Sequence, residues 1–165
     1  MITSLLLLPG TPRPTAAPAG APADSVLTLP GLEQPVRIVT DRFGVPHIRA
    51  ANERDLYFAW GFISARDRLW QMLATRQAVR GQMWRWGGNR HLQADGGAQL
   101  LEMDALARRI WARARRDPAA TVPLERYSAG VNAWLALCRR NTVPWPVEIE
   151  RLRARPDDWA PADVA

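Results

Sequence analysis

Val36-Arg37-Ile38-Val39-Thr40-Asp41-Arg42-Phe43-Gly44-Val45-Pro46-His47-Ile48 decides the fold, because it reads as two short strands about a tight turn. Val36 to Thr40 alternates apolar and polar side chains, as a half-buried strand does. Asp41 and Gly44 take the first and fourth turn positions, both favoured in a type I turn. Val45 to Ile48 then returns as the second strand. Pro46 has no N–H to give, so this strand needs an edge or a non-bonded ladder position. His47 reads as a structural residue of the return strand, since no Asp/Ser or Asp/Cys pair stands in a recognisable relation to it.

Downstream the period changes from two to that of a helix. Asp55 is expected to cap a helix running to about Gly81, with Leu56, Ala59, Ile63, Leu69, Met72, Leu73 and Val79 on one apolar face. Gly61 and Ala65 are small and four apart, which suits a close contact with a neighbour. Asp67-Arg68 interrupts the face and reads as an ion-pairing dipeptide. Two shorter helices are expected near Glu102 to Arg116 and Leu124 to Arg140. In the first, Asp104 and Arg108 can pair along one face. In the second, Leu124, Tyr127, Val131, Leu135 and Cys138 share a face, so Cys138 reads as a small buried apolar group. Trp84 and Trp86 flank Arg85 and read as packing residues.

Upstream, residues 1–30 read as a flexible tail or a degenerate signal segment. Pro9 to Ala23 is a Pro/Ala/Gly/Thr stretch with too little apolar surface to offset its ordering entropy. Thr3 to Leu8 is a stunted apolar run with no positive residue before it, and Ala21-Pro22-Ala23 resembles a cleavage site.

Composition narrows the function classes. The 165 residues are 47% hydrophobic and 23% charged, which suits one ordinary globular domain. The longest aliphatic run, Leu5 to Leu8, falls far short of the roughly 20 apolar residues a membrane span needs. One cysteine and two histidines exclude an internal disulfide and a thiolate zinc site. The formal charge is +6, and every one of the 22 basic residues is Arg. These are scattered, and the tightest group (Arg108, Arg109, Arg113, Arg115, Arg116) reads as a solvated helix face, so no nucleic acid partner is expected. Gly87-Gly88 and Gly96-Gly97 lack the spacing of a phosphate loop.

Several segments taken in order resemble the penicillin acylase (penicillin amidase) family. They are Asp41-Arg42-Phe43-Gly44-Val45-Pro46-His47-Ile48-Arg49-Ala50, then Gly61-Phe62-Ile63-Ser64-Ala65-Arg66-Asp67-Arg68-Leu69-Trp70-Gln71-Met72 with Arg76 and Gly81. Asp104 with Arg108, Tyr127-Ser128-Ala129-Gly130-Val131-Asn132-Ala133, and Pro156 with Trp159-Ala160-Pro161-Ala162-Asp163 follow. The resemblance spans roughly residues 33–165 and matches the amino-terminal region of the family's α-chain. Between Gln82 and Arg90 this chain departs from it, with Met83-Trp84-Arg85-Trp86 where the family runs polar.

The resemblance implies an α+β fold: a helix-rich α-chain fragment of an N-terminal-nucleophile hydrolase (αββα), with a short amino-terminal β-hairpin. It also implies a precursor that cuts itself into an α-chain and a longer β-chain. The β-chain then begins with a Ser whose own α-amino group is the base for attack on an amide. Substrates implied are β-lactams, acyl-homoserine lactones and other small N-acyl amines. The implied partner is the β-chain of the same precursor, calcium is implied for the complete enzyme, and a periplasmic or extracellular location goes with it.

This chain is expected to carry no catalytic residue and no metal ligand, and its residues leave any substrate contact unknown. Its serines are Ser4, Ser25, Ser64 and Ser128, and none follows a glycine, so the family's Gly-Ser junction is missing. Asp163 reads as the N-cap of a helix that does not follow, so residues 31–165 are expected to be an α-chain region truncated at its C-terminus. The competing readings are an inactive fragment of a split or frameshifted acylase gene and an Arg-rich nucleic-acid-binding module.

Overall fold

The computed structural model describes residues 3–10 and 24–164. Four strands, β1 (Thr3–Pro9), β2 (Asp24–Leu29), β3 (Val36–Thr40) and β4 (Pro46–Arg49), form one sheet in the order β2-β1-β3-β4. β1 runs parallel to β2 and antiparallel to β3, which forms the antiparallel hairpin with β4. Helices follow: α1 (Glu53–Val79), α2 (Trp84–Gly87), α3 (Leu92–Leu100), α4 (Met103–Ala114), α5 (Pro118–Arg139) and α6 (Val147–Leu152). The last element is a 3-10 turn at Pro161–Asp163. Among the described residues no helix is long and apolar enough to cross a membrane.

The hairpin forms as its sequence requires. Gly44 N–H donates to Asp41 O at 3.1 Å and Asp41 N–H to Val45 O at 3.0 Å, closing the turn. Gly44 sits at φ +82, where a side chain would be strained. Pro46 pairs opposite Thr40 on the outermost strand, so its missing N–H costs the sheet nothing.

The tail expected over residues 1–30 is corrected at both of its described ends. Thr3–Pro9 is an inner strand and Asp24–Leu29 lies beside it, while the Thr11 to Ala23 stretch is outside the described residues. The reason is physical. A continuous apolar run of four to eight residues suits a strand covered on both edges as well as it suits a failed signal. Leu7 is fully buried beside Val36, and the sheet lays Leu7, Leu29, Val36 and Ile38 against Phe58, Phe62 and Leu137. The hairpin therefore gains a third strand and a helix layer.

The N-cap of helix α1 lies three residues earlier than the sequence suggests. Asn52, not Asp55, is its N-cap, its side-chain oxygen accepting from Asp55 N–H at 2.7 Å. Asn caps as well as Asp does, which frees the Asp55 carboxylate for other partners. The buried face carries Phe58, Ala59, Phe62, Ile63, Ala65, Leu69 and Leu73. Leu56, expected on this face, is exposed, and the two phenylalanines replace it. A buried aromatic of that size contributes about 1.5–3 kcal/mol relative to exposure. Arg68, at φ −139 and ψ 26, breaks the helical geometry and kinks α1. Asp67 pairs backwards with Arg66 (2.6 and 3.1 Å), not with Arg68 as expected, because the kink turns Arg68 out of the helical path.

Helix α5 starts earlier than Leu124. Asp117 caps it by accepting from Ala119 N–H at 3.0 Å, and Pro118 takes the first position, where no N–H is needed. The predicted face holds: Val131, Leu135 and Cys138 are fully buried. α1 and α5 cross with their backbones nearly touching. A Cβ added at Gly130 would lie 1.9 Å from Phe58 O, and one added at Gly61 would lie 2.0 Å from Tyr127 O. Glycine is the only residue that fits either position.

Candidate functional site

Among the described residues, Ser128, Cys138 and Ser64 occupy different surroundings. Ser128 is buried in α5 and its hydroxyl donates to Leu124 O at 2.8 Å. Burial pushes the Cys138 thiol up to about 11, so it stays protonated at neutral pH. Ser64 is half-buried in the wall of a groove beside the hairpin. His47 bonds Asp41 Oδ2 at 3.1 Å on the exposed hairpin turn. That bond, followed by the one from Val45 N–H, holds the Asp41 carboxyl below its ordinary range. Among the described residues no hydrogen bond joins His47 to a serine, and the Asp–His pair orders the turn.

Buried charge is spent on positioning. Asp55 has no exposed surface. It accepts from Glu33 N–H at 3.0 Å, Gln34 N–H at 2.8 Å, Asn52 Nδ2 at 2.8 Å and Arg126 Nη2 at 3.2 Å. Burial pushes its carboxyl up, but the bonds from Glu33, Asn52 and Gln34 and the charge of Arg126 outweigh that and hold it low. Asp55 thereby fixes the chain entering β3 to the start of α1 and to α5. Asp95 does the same for the loop after α1, accepting from Met83 N–H at 3.1 Å and Trp84 N–H at 2.7 Å.

The segment after α6 is pinned by side chains from both long helices. Asn132 of α5 accepts from Trp159 N–H at 2.6 Å and donates to Trp159 O at 2.9 Å. Arg76 of α1 donates to Asp157 O at 3.3 Å and Asp158 O at 3.1 Å, and stacks 4.8 Å over the Trp159 ring. Burial lowers the pKa of this guanidinium, and Asp163 works against that shift. Asp163 meets Arg76 at 3.4 Å and Arg80 at 2.7 Å. Asp163, expected to cap a helix, here accepts from Ala160 N–H at 2.9 Å within a 3-10 turn and neutralises the two arginines. Asp104 pairs with Arg108 as expected and also reaches Arg80 at 3.8 Å, which ties α4 to α1.

Among the concavities along α1 are two with largely apolar walls. A groove of about 990 Å³ separates it from the hairpin and is walled by Phe43, Val45, Leu56, Tyr57 and Trp60. A cleft of about 550 Å³ separates it from α4, with Met72 and Val79 on one side and Met103, Leu106 and Ile110 on the other. Among the described residues no three His, Cys, Asp or Glu side chains converge as a metal cage requires.

The hairpin, the kinked helix and the arginine-pinned Trp159 segment all fall inside a single match. The sequence pattern of the family described as penicillin amidase covers residues 35–165. The chain belongs to that family. It is 38% identical over 151 residues to penicillin acylase 2 proenzyme of Pseudomonas sp. (strain SE83), covering 92% of this chain and 19% of that relative. It is 31% identical over 151 residues to acyl-homoserine lactone acylase QuiP of Pseudomonas syringae pv. tomato, covering 87% of this chain and 17% of that one. The chain thus spans about a fifth of the length of these curated relatives. A thermostable penicillin G acylase from Alcaligenes faecalis superposes with a TM-score of 0.69 at 26% identity, over 78% of this chain and 67% of that one. The helix-rich α+β arrangement with a small sheet is that of the penicillin amidase family, as the sequence implied, and the Pseudomonas relative is described as a proenzyme.

Within the family match, sequence reasoning quoted Asn132, Arg76 and Asp163 but gave them no partners. It missed the Asp55 cradle, because the two N–H donors come from residues 33 and 34, about twenty positions upstream, with no side-chain signature.

Proposed function

We propose that residues 31–165 are the amino-terminal α-chain portion of a penicillin-acylase-type amide hydrolase. The portion contributes no reacting group; it completes the fold and covers the substrate cleft of a β-chain that carries the nucleophilic Ser. The family match over residues 35–165 carries this reading. It is supported by the side chains that could react, since Ser128 and Cys138 are buried and protonated or bonded, and His47 is held by Asp41. In the assembled enzyme the β-chain Ser attacks the acyl carbonyl with its own α-amino group as base, and backbone donors bind the oxyanion. Substrates are small N-acyl compounds, β-lactams or acyl-homoserine lactones, and the setting is periplasmic or extracellular. Calcium belongs to the complete enzyme, outside the residues described.

The test is complementation. The chain is co-expressed with the Pseudomonas penicillin acylase 2 precursor lacking its matching 151 residues, and hydrolysis of penicillin G and of an N-acyl-homoserine lactone is assayed. Turnover of either substrate by the pair, with none from either part alone, is expected. Turnover by this chain alone that disappears in Ser64→Ala would overturn the proposal.

A further inference from the structure

We propose that the cleft between α1 and α4 seats an apolar polypeptide segment from the part of the acylase precursor outside these 165 residues. This rests on the assignment of the chain to a two-chain acylase and adds the surface through which the remainder is gripped.

The cleft's outer wall is the first observation. Met103, Leu106, Ala107 and Ile110 recur at the i, i+3, i+4, i+7 spacing of a single helix face, and all four line the cleft. Yet no residue of α4 is buried. A twelve-residue helix is marginal by itself and draws its stability from a packed apolar face. The face is built, yet Met103, Leu106 and Ile110 keep 37%, 43% and 44% of their surface exposed.

Exposed apolar side chains also lie beyond the cleft. Leu100 (85% exposed) and Leu101 (70% exposed) carry apolar area from α3 onto the chain just before α4, outside the cleft. Exposed apolar area of this kind suits a polypeptide contact. The precursor supplies such a polypeptide, because this chain spans only 19% of the proenzyme it resembles.

Charge at the cleft selects the segment further. Arg68, exposed at the α1 kink, lines the cleft and has no carboxylate within ion-pair distance among the described residues. The occupant is therefore an apolar stretch that carries an acidic residue to meet Arg68.

Co-purification with the truncated Pseudomonas precursor tests this, using full chains. The double variant Leu106→Arg/Ile110→Arg is compared with Phe43→Arg/Trp60→Arg in the hairpin groove and with Leu100→Arg. All these positions are exposed, and circular dichroism of each variant establishes that it folds. The proposal expects at least about a tenfold loss of captured partner for the α4 pair, and retention for the hairpin pair. Leu100→Arg is expected to fall between them. Capture and turnover unchanged in the α4 pair would overturn the cleft assignment while leaving the acylase assignment standing. Loss in the hairpin pair alone would move the interface to the other groove and overturn it too. No capture of the unaltered chain, with no turnover, would sink both readings. A homodimer of the isolated chain in sedimentation, abolished by the α4 pair, would make a second copy the occupant and contradict the proposal.

Discussion

The α1–α5 pair and α4 are helices of one chain built to different rules. Where α1 meets α5, glycines at 61 and 130 bring the backbones together, and Phe58, Phe62, Leu73, Val131 and Leu135 have almost no exposed surface. α4 has a cleaner apolar stripe than either, but leaves Leu106 and Ile110 over 40% exposed. The contrast teaches that amphipathic pattern alone does not say what a helix packs against. The long pair makes its own core, whereas α4 is tied to α1 by one ion pair, Arg80–Asp104, and leaves its apolar face half-exposed along the cleft. Substitutions should therefore be severe in the first region and mild in the second, as long as the chain is alone.

Gly130→Val should break the first region outright. Its Cβ meets a backbone carbonyl at 1.9 Å, and no side-chain rotation relieves that. Overpacking of this kind costs about 3 kcal/mol or more, so urea unfolding of the variant should show no native baseline or a much lower midpoint. A midpoint equal to the parent's would show that α1 and α5 do not cross here.

Asp55→Asn should come next, at about 2–3 kcal/mol, since it loses charge-assisted bonds from two backbone N–H groups and Arg126. The pH dependence has a definite sign. The folded carboxyl lies below its ordinary value of 3.8, so its contribution is complete above that value and fades as pH falls through the folded value. Thermal midpoints of the parent should drop below about pH 4, and those of Asp55→Asn should drop less steeply. Parallel curves would mean that Asp55 contributes no linkage.

Leu106→Arg in the isolated chain should change stability by less than about 0.5 kcal/mol, as expected for surface positions. A loss of 2 kcal/mol or more would place Leu106 in a core and erase the contrast between the two regions.

The hairpin, the long helices and the family were legible in the sequence because each rests on local pattern: alternation at 36–40, a turn at 41–44, glycines where a backbone must pass. The sheet's central strand was not. Leu5 to Leu8 carries no alternation, and its two neighbours, β2 and β3, begin about twenty to thirty residues later. The helix start was missed by three residues because Asn52 and Asp55 are equally good caps, and only the N–H groups of 33 and 34 decide between them. The pinning of Trp159 was illegible for the same reason, since Asn132 binds backbone atoms 27 positions away.

Amide hydrogen exchange across the whole chain, alone and with the truncated acylase precursor, tests most directly that one region folds by itself and the other waits for a partner. The account predicts slow exchange in 58–73 and 128–138 in both samples, while 103–114 exchanges fast alone and becomes protected in the complex. Equal protection of 103–114 in both samples, or fast exchange throughout the isolated chain, would contradict it.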